Sequence, residues 1–365
     1  MDVLIDDQMF VTQKRGGITR YFTQLMRQFD ATSAVDLTMP YRYVANEHLV
    51  EAFPGKFRLV PRPYHAPVHP VLDCLNARYR RSAGRVDLIH HTYYRANHLQ
   101  EYDGRARVCT IYDMIPEHFP EMFPRGNPHR DKKQFTETCD AILCISETTK
   151  RDLVRLYGDQ DKPVLVTYLG VDKQFFRPGP VHSTPGKPYV LFVGSRKGYK
   201  NFQLLAQAFS RVSADLPNLH LMCVGGGRFT PGEKSVLADL SILNRSHQAS
   251  PSDAELPAFY SQASVFCYPS RYEGFGLPLV EAFASGCPAV VADTPCLVEI
   301  ADAAADIVSP DNADELAEAI ARIVRDSTHR DILVAAGRQR ASSFTWEATA
   351  RNTVSAYEQV LQQTA

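Results

Sequence analysis

Two glutamates with seven residues between them frame the stretch Arg271-Tyr-Glu273-Gly-Phe-Gly-Leu-Pro-Leu-Val-Glu281. It follows Val265–Tyr268, an apolar run that reads as a strand. Gly274 and Gly276 permit a tight turn, and Pro278 suits the first turn of a helix. Glu281 then falls about one turn inside that helix, with Glu273 in the loop before it. Carboxylates placed so can each accept hydrogen bonds from vicinal hydroxyls, while loop and helix amides face a phosphate or sugar oxygen. The plainer reading has Glu281 complementing the helix dipole and Glu273 as an exposed loop charge.

A second group lies in Gly194-Ser-Arg196-Lys197-Gly-Tyr-Lys200-Asn201, between the strand-like Val190–Val193 and a helical pattern from Phe202. Glycine permits close backbone approach, and Asn201 is a good N-cap. Arg196 and Lys200 add two positive charges at the same mouth, so a diphosphate is the natural guest, with solvated surface charges as the alternative. Gly225-Gly-Gly227 also follows a strand and reads equally as a nucleotide approach or a tight turn.

These groups need a scaffold, and the chain supplies strand–helix alternation nearly throughout. Val3–Ile5, Asp87–His90, Val108–Tyr112, Ala141–Cys144 and Val164–Tyr168 read as strands in the first half; Val190–Val193, His220–Val224, Val265–Tyr268 and Ala289–Val291 do so in the second. Ile18–Phe29, Glu147–Tyr157, Phe202–Ala214 and Ala313–Arg325 read as helices between them. The pattern predicts an α/β fold of parallel sheets covered on both faces. A chain of 365 residues suits two such domains. Phe176–Pro188 holds four prolines and two glycines in thirteen residues, which predicts a linker. The expected division is 1–178, a linker at 179–188, 189–345, and a terminal helix over 346–365. Two open sheets facing a central cleft would place ligands at strand carboxyl ends.

Composition narrows the partners. Forty basic against forty-one acidic residues disfavour nucleic acid. No run of about 18 apolar residues suggests a membrane span, and Met-Asp-Val-Leu-Ile-Asp-Asp does not read as a secretion signal. The eight cysteines lack Cys-x-x-Cys spacing and read as buried thiols in a cytoplasmic protein. Asp159-Gln-Asp161 has an Asp-x-Asp form but reads as a turn, so no metal or other cofactor is expected.

The run Pro-Ser-x-Tyr-Glu-Gly-Phe-Gly-Leu-Pro-x-x-Glu-Ala resembles the donor-site signature of glycosyltransferase family 4, whose fold is GT-B: two Rossmann-like parallel-sheet domains. Ser252-Asp253-x-Glu255-Leu256, Gly286-x-Pro288, Tyr168-Leu-Gly-Val-Asp172, Phe344-x-Trp346 and Arg15-Gly-Gly-Ile-Thr-Arg20 extend the resemblance over most of the chain. It implies a retaining, metal-independent hexosyltransferase using a nucleoside diphosphate sugar. Arg196, Lys200 and Glu273 would be its catalytic set, with the first two on the diphosphate and Glu273 on donor hydroxyls. Glu281 would bind the ribose, Gly16 and Gly17 would lie against phosphate or sugar, and Gly274, Phe275, Gly276 and Leu277 would line the donor. The resemblance also implies that the terminal helix returns to the first domain.

On the acceptor side Tyr112-Asp113 stands where relatives often carry His-Asp. Tyrosine can donate a hydrogen bond but cannot serve as a near-neutral base. His90 and His91 at a strand end are further acceptor-side candidates, with a structural role as the alternative. Arg78, Arg80, Arg81 and Arg85 would meet anionic lipid or simply form a solvated face. The expected setting is bacterial surface-polysaccharide assembly, with mannose from GDP-mannose passing to a saccharide or lipid-linked glycan in the cytoplasm or at the inner face of the membrane. An epimerase or phosphorylase of the same fold and a non-catalytic sugar-nucleotide sensor are the alternatives.

Overall fold

Each half of the chain builds one six-stranded sheet in which every strand pair is parallel. The computed structural model describes residues 1–61, 69–124, 126–127, 129–177, 179 and 186–364. Residues 180–185 of the expected linker lie outside that set. One unit comprises Met1–Leu169 with Trp346–Ala365, the other Gly170–Thr345.

In the first unit, β1 (Asp2–Ile5), β2 (Asp36–Thr38), β5 (Val86–His91), β6 (Gly104–Ile111), β7 (Ala141–Cys144) and β8 (Val164–Val166) form a sheet of order β2-β1-β5-β6-β7-β8. The short strands β3 (Tyr43–Val44) and β4 (Arg58–Leu59) pair separately. The sheet order reverses between β1 and β5, which opens a crevice at their carboxyl ends. In the second unit β9 (Tyr189–Val193), β10 (His220–Val224), β11 (Ser246–Ala249), β12 (Val265–Tyr268), β13 (Ala289–Ala292) and β14 (Asp306–Val308) run β11-β10-β9-β12-β13-β14. There the reversal falls between β9 and β12, the strands that carry the two suggestive loops.

Every residue of β7, β10, β12 and β13 is buried, as expected of strands covered on both faces. In the second unit the helices Phe202–Asp215 and Ala313–Arg325 pack together on the sheet through Leu205, Phe209, Val212, Leu316, Ile320 and Ile323. The edge strands β2, β11 and β14 are short and part-exposed, so their sequences carry no continuous apolar run.

The terminal helix Trp346–Gln363 packs on Gly17–Thr32 within the first unit. Tyr21 meets Trp346 at 6.5 Å and Phe29 meets Tyr357 at 6.1 Å between ring centroids. Thr349 Oγ1 donates to the Tyr168 carbonyl at 2.8 Å. Deeper in, His90 is wholly buried, with the Tyr357 hydroxyl 2.5 Å from Nδ1 and the Thr110 hydroxyl 2.7 Å from Nε2. His90 is therefore a core histidine joining sheet and terminal helix, not an acceptor-side group.

Burial pushes the His90 imidazole down to about 3. Below a pH of about 6.5 the unfolded chain takes up a proton that the folded chain refuses. The stability associated with this neutral histidine is thus present above about 6.5 and falls as pH drops, by about 1.4 kcal/mol per unit for a fully buried group. His90→Gln should start less stable at pH 7.5, yet lose stability less steeply between pH 6.5 and 5 in urea titrations. Equal slopes for the two proteins would contradict the assignment.

Candidate functional site

The loops after β9 and β12 meet through a charge pair. Lys200 Nζ lies 2.6 Å from Glu273 Oε1, with the two side chains only 15% and 9% exposed. The same ammonium donates to the Tyr268 hydroxyl at 3.3 Å and stands 5.2 Å from the ring centroids of Tyr199 and Tyr268. Burial, and then the Glu273 charge, push the Tyr268 phenol well above its ordinary range, so it stays protonated. The Arg271 amide donates to the Tyr199 carbonyl at 2.8 Å. Asn201 does not cap its helix with its side chain as expected. It takes a left-handed conformation, and its Nδ2 donates to the carbonyls of Pro269 (3.1 Å) and Pro310 (2.8 Å). That side chain ties the first loop to the second.

Gly276, at φ 91°, turns the chain into the helix Leu277–Ala284, with Pro278 in its first turn. Glu281 on this helix is 3% exposed, and Tyr260 donates to its Oε2 at 3.0 Å. Phe275 is buried edge-on against Phe344 at 5.6 Å, Gly274 is buried, and Leu277 is half-buried. The motif thus fixes both glutamates on a rigid turn. Tyr260 and Tyr268, partners of those glutamates, were not among the expected site residues; Tyr260 entered only as part of the resembling helix before the motif, and Tyr268 as the end of a strand.

Arg196 does not join Lys200. β9 has β10 on one side and β12 on the other, and Arg196 reaches to the β10 side. Its guanidinium donates to the carbonyls of Gly225 (2.8 Å) and Gly227 (2.9 Å) and to Glu233 (2.9 Å), with its side chain 1% exposed. Where a diphosphate contact was expected, these donors are engaged by the protein itself.

In the first unit, Gly16 and Gly17 open the helix Gly17–Thr32. A Cβ on Gly16 would stand 2.2 Å from the Gln13 side chain, whose Oε1 accepts from the Thr19 hydroxyl at 3.1 Å. Those Gln13 atoms are the movable end of a long side chain, so the contact alone does not demand a glycine at 16, and Gly17 faces open space. The acceptor-side candidates divide. Tyr112 is buried and donates its hydroxyl to the Thr92 carbonyl at 2.9 Å; burial holds its pKa far above 10, so it is a structural donor. His91 is 1% exposed, with Nδ1 2.8 Å from Asp6 Oδ2 and Nε2 buried without a partner among the described residues. Asp6 also accepts from the Thr92 amide at 2.9 Å and Gln8 Nε2 at 2.6 Å. Burial opposes its ionisation, but His91, the His98 charge and the Thr92 hydroxyl hold its pKa well below the carboxylate range. Asp113 alone stays half-buried at the end of β6: its Oδ1 accepts from the Ile115 amide at 3.0 Å, and buried Lys132 donates to its carbonyl at 2.8 Å.

Arg80, expected on a basic face, is 6% exposed and paired with Asp7 (2.7 Å), Asp73 (2.9 Å) and Glu101 (3.1 Å). Among the described residues, no group of three or more His, Cys, Asp or Glu could hold a metal ion. No helix of the described residues is long and apolar enough to cross a membrane.

A family model described as Glycosyltransferase Family 4 matches residues 15–175, and one described as Glycosyl transferases group 1 matches 177–340. The chain belongs to these glycosyltransferases, and its fold is GT-B. It is 26% identical over 296 residues to the O-antigen chain mannosyltransferase B of Escherichia coli, covering 76% of this chain and 77% of that one. Sucrose-phosphate synthase from Thermosynechococcus elongatus matches at a TM-score of 0.78 and 21% identity, over 100% of both chains. The Anabaena protein HepE, solved with UDP-glucose, matches at a TM-score of 0.76 and 16% identity over 98% of this chain and 99% of its own.

A Cβ at position 276 would sit 3.1 Å from Leu297 Cδ2 on a backbone at φ 91°. Gly276→Ala should cost about 1–2 kcal/mol in urea denaturation. Gly17→Ala meets nothing within 4 Å and should stay within about 0.5 kcal/mol. Equal stabilities for the two variants would refute this account of the turn.

Proposed function

We propose that this glycosyltransferase moves a hexosyl group from a nucleoside diphosphate sugar to a saccharide or lipid-linked glycan, with retention at the anomeric carbon and without a metal ion. The observation that carries this reading is the Lys200–Glu273 pair, 2.6 Å apart at the β9/β12 reversal, with Glu281 on the helix that follows. A donor would exchange partners with the pair. Its diphosphate would take the Lys200 ammonium, and its sugar hydroxyls would take the Glu273 carboxylate. Glu281 would accept from the ribose diol beside Tyr260.

As the bond from the anomeric carbon to the diphosphate oxygen breaks, negative charge grows on the leaving group, and a fixed cation there stabilises the transition state. The acceptor oxygen would attack from the same face, passing its proton to the departing phosphate oxygen. Such a route asks no protein base of the Tyr112 position, in keeping with a phenol that stays protonated. The mannosyltransferase relative supports GDP-mannose as donor in surface-polysaccharide assembly, while the UDP-glucose in the HepE structure keeps a uridine donor as the second choice. A lipid-linked acceptor would bring the chain to the inner face of the membrane, where exposed Arg78, Arg81 and Arg85 would be the basic residues available.

A thermal-shift panel of nucleotide sugars should single out one donor, whose turnover can then be measured. Lys200→Ala should lower kcat by about 10²–10³ with the native fold kept by circular dichroism. Unchanged turnover would remove the charge role. Release of nucleoside diphosphate by the wild type, followed with and without acceptor, separates an enzyme from a sensor.

A further inference from the structure

Gly225, Gly226 and Gly227 stand in succession at φ 85°, 69° and 74°, immediately after β10. A run of left-handed residues sends its carbonyls to one side and its amides to the other. Here the carbonyls of Gly225, Gly226, Gly227 and Arg228 all fall on the Arg196 guanidinium, at 2.8, 3.3, 2.9 and 3.3 Å. The guanidinium is fastened from behind: Glu233 binds it at 2.9 Å, and the Phe229 ring stacks on it with the centroid 4.8 Å away. Glu233 in turn accepts from the Thr230 amide at 2.7 Å.

The other side of the turn is different. The Gly225 amide donates to Ala249 O at 3.1 Å, but among the described residues the amides of Gly226, Gly227 and Arg228 meet no protein acceptor. All three residues are exposed. Exposed backbone amides without a protein acceptor are donors open to an anionic oxygen. The position permits little variation, because a Cβ on Gly226 would lie 3.0 Å from Arg196 Nη1 and 3.1 Å from the Gly194 carbonyl.

We propose that Arg196 is a positioning residue: by gathering four carbonyls it turns the amides of Gly226, Gly227 and Arg228 outward as a cradle for an anionic oxygen of the donor's nucleoside diphosphate. This rests on the donor reading above and gives that ligand a second contact on the β10 side of β9, away from Lys200. Lysine could not replace Arg196, since a compact ammonium with three donors lacks the planar fork that reaches several carbonyls at once.

The test uses the full chain with UDP, GDP and the corresponding nucleosides. In amide NMR spectra of the wild type, the Gly226, Gly227 and Arg228 signals should move on adding the nucleoside diphosphate that binds, and not on adding its nucleoside. In calorimetry Arg196→Lys should weaken that diphosphate by about tenfold or more while leaving nucleoside binding nearly unchanged. With the matching nucleotide sugar, the variant's loss should appear chiefly in KM. Diphosphate binding with the three amides silent would overturn the cradle and leave the donor reading intact. A fall in kcat at unchanged KM would overturn it too, by placing Arg196 on the leaving group itself. A wild type that binds neither diphosphate would sink the donor reading and the cradle together.

Discussion

An ammonium and a carboxylate held 2.6 Å apart where two central strands end set the terms for everything else in the second unit. Removing either charge from water is costly, and the pair exists because each is the other's compensation. A ligand that separates them must satisfy both. Phosphate alone would satisfy Lys200 and strand Glu273; a free sugar would do the reverse. A sugar joined to a diphosphate offers an anion to one and hydroxyl donors to the other in a single molecule. The pair therefore favours the whole donor over its parts, before any contact to the base is considered.

The scaffold serves that pair. The sheet reverses between β9 and β12, so the loops that follow them diverge and leave room at the strand ends. Asn201 and the Arg271 amide then lace the two loops together, fixing Lys200 against Glu273. Gly276 turns the second loop directly into the helix that carries Glu281. On the far side of β9 the Arg196 guanidinium organises a separate turn. Two basic residues four apart in one loop thus serve opposite flanks of a single strand.

Much of this was legible from residue types alone. The runs that became β7, β9, β12 and β13 are apolar throughout because both faces are covered, and the glycine–proline spacing around Glu273 encodes a turn into a helix. The edge strands were not legible, since β11 reads Ser-His-Gln-Ala, with no apolar periodicity to detect. Nor could the sequence distinguish Arg196 from Lys200: both are cations in a loop before a helix, and only the glycine carbonyls that surround one of them decide its role. His90 and His91 misled for a related reason. A histidine at a strand end suits an open site, until the terminal helix supplies Tyr357 to one and β1 leads Asp6 to the other. Contacts between residues 267 and 85 positions apart leave no local trace.

Backbone hydrogen exchange, read by mass spectrometry with and without a nucleotide sugar that the protein binds, tests the central claim most directly. Donor binding at the Lys200–Glu273 pair predicts slowed exchange in peptides covering 194–201 and 269–281. Bound donor with both segments unchanged and protection elsewhere in the chain would contradict it.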